Sequence, residues 1–235
     1  FEEDVFCQIN YLQALHWLSA RVRPGSRITY VCPPTERLGS VSEQRLRELF
    51  EQRQPVNRNL LELAARMWPA VAADDASELS ERIASEDFSA WPLLREGLQR
   101  QLARLPGSTN GLNRLEQAIV SAAAAGTKVF TDLFAAVWTS EPDYGVGDMQ
   151  IVRYVLDLAH DDAALLHVTT SNGRPRMHAS GWTNGQIAIT DLGAAILNGE
   201  QDYMHVAKPD RYVGGVHVTR GSPFRWDGRT AIRIA

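Results

Sequence analysis

Before residue 160 only one stretch reads as a β-strand: "RITYVC", Arg27 to Cys32, short and rich in β-branched and aromatic residues. A lone strand leaves its backbone N–H and C=O groups unpaired, so it must find a partner. The order helix, loop, strand is that of the last part of an α/β domain. The partner is therefore expected from the far C-terminus, or from chain that this sequence does not contain. The rest of the first 160 residues must fold mainly as helices.

The helical pattern is strong. Over 4–22, Val5, Phe6, Ile9, Leu12, Leu15, Leu18 and Val22 recur at helical spacing. Cys7, Tyr11, Ala14 and Trp17 widen the apolar surface, which predicts a buried helix ended by "RPGS". Ser42 and Asn57 are placed to cap the next two helices, and Pro69 is expected to kink or end the second of them. Pro92 stands near the start of a later helix, where proline is tolerated. "PGSTNG", Pro106 to Gly111, reads as a linker. It divides the chain into an α/β remnant with a helical region, 1–105, and a second domain, 106–235.

The second domain opens with a capping box, Asn113 and Glu116, with Gly126 as the stop. "TDLFAAVWTS" gives another helix, and Asp148 is placed to cap "MQIVRYVLDLA". Alternation then appears in "LLHVTT", "RMHAS" and "QIAIT", broken at Asn172-Gly173 and Asn184-Gly185. Thr190 caps a last helix that Gly199 ends. Three helices, a β-wing and a short helix are the layout of a winged helix. The fold class expected is mixed and mainly α: an α/β remnant, a helical middle region and a winged-helix-like C-terminal domain with β-hairpins.

A winged helix raises the question of DNA. Its recognition helix would be Asp148 to Ala159, and Arg153 is one cation beside Asp157, Asp161 and Asp162. The wing tip is more basic, with Arg174 and Arg176. The formal net charge of −4 counts against nucleic acid as a partner. No apolar run approaches a membrane span. A protein partner, or a second copy of the chain, is left. The strong catalytic motifs are absent, and neither a cofactor nor a metal is predicted. His167 and His178 are expected to face one another across a hairpin as ordinary surface residues. Cys7 and Cys32 read as small buried hydrophobes in a reducing compartment, with the cytoplasm as the default.

Two stretches hold the candidate ligand-binding residues. In "FEEDVFCQIN", the helix dipole accounts for the acids at Glu2 and Glu3, whereas Asp4, Gln8 and Tyr11 form a polar stripe that needs a partner. In "KPDRYVGGVHV" and "FRWDG", Asp210, Arg211, Gly214, Gly215, His217, Arg225 and Asp227 lie close in sequence. Gly-Gly permits close backbone approach, and Asp210 with Arg211 or Arg225 offers an ion pair or a grip on a polar ligand. The plainer reading is a hairpin of "GGVHV" and "FRWDG", packed by Tyr212 and Trp226.

"FEEDVFCQINYLQAL", "GLNRLEQAIV…GD" and "DRYVGGVHV…FRWDG", taken together and in this order, resemble a family of uncharacterised bacterial proteins, domain of unknown function 1835. The resemblance implies an acidic-helix motif, an aromatic residue at the Tyr212 position followed by Gly-Gly, and a Trp-Arg-Trp-Asp-like ending. It also implies an N-terminal α/β segment with a Gly-Asp-Ser-like turn ahead of the acidic helix, which this sequence does not contain. Tyr212 stands where tryptophan is usual in the family, and "PFRW" replaces the tryptophan-rich run. The family carries no established activity. A non-enzymatic binding or regulatory module is the leading expectation. The alternatives are a DNA-binding winged helix and an enzyme acting on a small phosphorylated or nucleotide-like ligand. The enzyme's site would combine the missing segment with Glu3, Asp4, Gln8, Asp210, Arg211, His217 and Arg225.

Overall fold

In the computed structural model, α1 (Val5–Ser19) begins where Asp4 takes an extended conformation and accepts a hydrogen bond from the Cys7 N–H at 2.9 Å. The structure describes residues 2–23, 25–33, 36, 38–160, 163–169 and 185–234. The chain divides into two compact units, one of Phe1–Leu102 with Gly214–Val216, the other of Ala103–Val213 with His217–Ala235. The fold is mixed and mainly α, with small antiparallel two-stranded sheets.

In the first unit α1 packs against α3 (Arg58–Ala72) and α5 (Pro92–Leu102), and α4 (Ala76–Ser85) packs against both of the latter. Val5, Leu12 and Leu15 are fully buried, as are Ala64, Met67, Leu94 and Leu98. Each such leucine contributes on the order of 2 kcal/mol by leaving water. Ser42 caps α2 (Glu43–Glu51) and Asn57 caps α3, as expected. Pro69, however, does not end α3, which continues to Ala72. The proline removes one hydrogen bond close to the helix end, while Met67, Ala70 and Val71 stay buried on either side of it. Arg95 holds the end of α4, donating to the carbonyls of Ile83 at 2.8 Å and Glu86 at 3.1 Å.

The strand also departs from expectation. β1 is only Thr29–Tyr30, and it pairs antiparallel with a local partner, β2 (Gln54–Pro55). Among the described residues no distant strand joins this pair. Gln54 precedes a proline, which pushes it towards extended backbone, and Pro55 needs no donor at a sheet edge. The Val56 N–H extends the pairing to Ile28 O at 2.9 Å.

The second unit is built around α6 (Arg114–Ala124), which contacts α7 (Phe130–Ser140), α8 (Asp148–Leu158) and α9 (Asp191–Leu197). Both bonds of the expected capping box are present: Glu116 N donates to Asn113 Oδ1 at 2.9 Å, and Asn113 N to Glu116 Oε2 at 2.8 Å. The cap of α8 is Gly147, one residue before the expected Asp148. Its N–H donates to Gln150 Oε1 at 2.7 Å, and Asp148 becomes the first helical residue. β3 (Leu166–Thr169) and β4 (Gln186–Ile189) pair antiparallel, and His167 lies opposite Ala188. The expected facing pair with His178, the "RMHAS" strand and the wing-tip Arg174 and Arg176 lie outside the described residues. Among the described residues three helices, an antiparallel strand pair and a short helix follow one another in sequence.

"PGSTNG" is not a solvated linker. Its Gly107 N–H donates to Leu112 O at 2.9 Å, and Ser108 N and Pro106 O bond to the backbone of Trp226 at 2.9 and 2.8 Å. Gly111 has φ of +77° and lies against the Asp202 carboxylate, leaving no room for a Cβ. Pro, Gly and Asn here build a tight turn inside the second unit.

The C-terminal region holds α10 (Tyr203–Val206) and two hairpins where one was expected. β5 (Arg211–Val213) and β6 (Val216–Val218) are joined by Gly214-Gly215. β7 (Phe224–Trp226) and β8 (Ala231–Arg233) pair antiparallel around the Asp227 turn.

Candidate functional site

The polar stripe of α1 is covered within the first unit. Asp4 serves as the N-cap, so its carboxylate is spent on the helix backbone. Gln8 is fully buried beside Gly97 of α5, where an added Cβ would stand 3.1 Å from the Gln8 Cβ. Its Nε2 donates to Glu2 O at 2.9 Å. Tyr11 packs edge-on against Trp91, centroids 5.0 Å apart, and against Tyr30 at 5.6 Å. Burial pushes its phenol well above the ordinary range, which keeps it neutral. Glu2 does not serve the dipole of α1, because the helix begins at Val5; its Oε1 accepts from the Leu38 N–H at 2.9 Å. Glu3 is half-buried.

The C-terminal candidates lie in the second unit, apart from Gly214 and Gly215, and they do not pair as the sequence suggested. Arg211 turns inward and forms a two-pronged ion pair with Glu116, whose side chain is only 4% exposed. Arg225, equally buried, reaches Asp202 at 3.7 Å and the Ser222 carbonyl at 3.4 Å. Asp227 accepts from the N–H groups of Arg229 and Thr230, both at 2.8 Å, and so builds the β7–β8 turn. Gly214 and Gly215 belong to the first unit, where the Gly215 N–H donates to Val71 O at 3.0 Å.

Asp210, Tyr212 and His217 remain, and these form one exposed group. Asp210 Oδ1 and His217 Nε2 share a hydrogen bond of 2.6 Å. The Tyr212 and His217 rings are stacked, with centroids 4.5 Å apart and planes 7° from parallel. Tyr212 is 62% exposed, so it does not pack the hairpin against the body as expected. The reason is strand alternation. Arg211 and Val213 turn inward, Tyr212 turns out, and the two-residue Gly-Gly connection sets it across from His217. Cross-strand pairing across a two-residue turn was readable in "YVGGVH" and would have found this stack. The partners Glu116 and Asp202, distant in sequence, gave no such signal.

Among the described residues no group of His, Cys, Asp and Glu is arranged to hold a metal, and no helix is long and apolar enough to cross a membrane. No protein-family model, curated protein or solved structure matches the chain.

Proposed function

We propose that the chain is a non-enzymatic binding or regulatory module that acts in the cytoplasm, with α6 to α9 and the β3–β4 hairpin as a winged-helix-like scaffold. The observation that carries the reading is the exposed, pre-positioned Tyr212–His217–Asp210 group. Tyrosine is a favoured anchor of binding surfaces, and a ring already held in place loses less freedom on binding. The other charged candidates support the same reading, because Asp4, Arg211, Arg225 and Asp227 are engaged in caps, ion pairs and turns. A DNA-binding role is less well supported: Arg153 on α8 is held by Asp157 at 3.0 Å, which offsets its charge. "DRYVGGVHV", one of the motifs resembling domain of unknown function 1835, contains the exposed group.

The test is a benzophenone side chain placed at position 212 of the protein in cells. It should form a discrete crosslinked adduct whose yield falls in a His217→Ala background. The same group at exposed position 149 on α8 should not form it. Identical adducts at both positions, or none at 212, would remove the reading.

A further inference from the structure

Three large aromatic side chains stand out into solvent among the described residues: Trp17, Phe50 and Tyr212. Two of them carry a guanidinium of their own chain. Arg21 lies 4.6 Å from the centre of the Trp17 ring, and Arg53 lies 4.4 Å from that of Phe50. Tyr212 differs. One face is stacked on His217, and among the described residues no guanidinium lies over the ring. Asp210, 82% exposed, stands two residues back and fixes His217 in place.

We infer that the open face of Tyr212 receives an arginine side chain of a partner protein. The inference rests on the binding reading above and names the chemistry of its ligand. A guanidinium is planar, permanently charged and weakly hydrated, so one group both stacks on the ring and answers the negative charge of Asp210. Lysine presents a point charge without a plane. A nucleobase also stacks on tyrosine, but its phosphate would meet Asp210 and a chain of net charge −4. The acidic balance draws a cation in and repels an anion.

The experiment is a nuclear magnetic resonance titration of the isotope-labelled chain with three probes. These are the capped peptide Gly-Arg-Gly, its Gly-Lys-Gly counterpart and adenosine monophosphate. The arginine peptide is expected to shift the Tyr212 and His217 resonances saturably, and to bind about three-fold more tightly than the lysine peptide. Tyr212→Ala should abolish the shifts, Tyr212→Phe should keep them, and Asp210→Asn should weaken them. Because Tyr212 is exposed, both replacements at 212 are expected to fold. Equal binding of the two peptides, tighter binding of the nucleotide, or shifts that grow with protein concentration alone would each overturn the arginine assignment. The last would put a second copy on the ring. All three leave a crosslink at 212 standing and the binding reading intact. Loss of both the crosslink and every titration removes the two together.

Discussion

Glu116 closes the capping box at the start of α6 and, with the same carboxylate, grips Arg211 95 residues further on. One buried side chain therefore fixes a helix end and the inward face of a distant hairpin strand. Both partners lie in the second unit, and the Nε of Arg211 has no further partner among the described residues.

This arrangement makes Arg211 more sensitive to replacement than a surface arginine. Arg211→Ala would leave Glu116 charged and buried, a cost of about 3 kcal/mol. Replacing both, as Glu116→Gln with Arg211→Met, should recover a large part of it, because no unpaired charge then remains. Urea unfolding followed by a probe in the second unit measures both. A loss below about 1 kcal/mol for Arg211→Ala would place the pair with exposed ion pairs, and the account would fall.

Asp4 offers a direct choice between a cap and a ligand group. As a cap, Asp4→Ala should cost about 1 kcal/mol and Asp4→Asn much less, since asparagine also accepts from the helix N–H groups. Thermal unfolding of the two variants separates the readings. Equal losses would mean that the carboxylate charge, and not its acceptor geometry, matters at this position.

The parts of this fold that could be read from sequence are those whose cause is local. Ser42, Asn57, Asn113 and Thr190 cap the helices they were expected to cap, because a cap bonds its own helix a few residues on. The mainly helical character and the order of α6 to α9 followed from periodicity. What failed depended on distance along the chain or on competition between terms. The partner of β1 is hidden because Gln54-Pro55 lies in a stretch whose pattern is otherwise helical. Of the two outcomes expected at Pro69, a kink or an end, the end does not occur: α3 runs on to Ala72, with Met67 and Val71 buried on either side of the proline. Arg211 and Arg225 were assigned to a cluster with Asp210 because they are near it in sequence. Their carboxylate partners come from Glu116 and Asp202, which nothing in the local pattern marks. The plainer reading has Tyr212 packing the hairpin, whereas strand alternation sends it outward.

Gly215 should tolerate no side chain. A Cβ there would overlap the backbone oxygens of Ala72 and Ala73, which cannot move aside without disturbing the end of α3. Gly215→Ala is predicted to cost on the order of 2 kcal/mol or more. Gly221→Ala is the control, with open space around its Cβ position. Parallel thermal melts should show a lowered midpoint for the first and little change for the second. Equal midpoints would mean that the Gly214-Gly215 turn is not held against α3 in solution.

Burial pushes the Cys32 thiol up to about 11 from an ordinary value of 9.0. The thiolate is the reactive form, so this shift should slow alkylation of the folded protein at neutral pH. In a Cys7→Ser background, which isolates Cys32, the rate with iodoacetamide should climb about ten-fold per pH unit past pH 9 and level off only near 11. In urea the same thiol should level off near its ordinary value. The stability effect has a definite sign. A thiol whose folded pKa is raised contributes its full stabilisation below the unfolded value, and that contribution is lost as pH rises from about 9 towards 11. Cys32→Ser should therefore flatten part of the alkaline fall in stability, to which Cys7, Tyr11, Tyr30, Tyr144 and Tyr203, all pushed up by burial, also contribute. A folded-state rate that levels off near pH 9 would show Cys32 to be open to water, and burial would not be what shifts it.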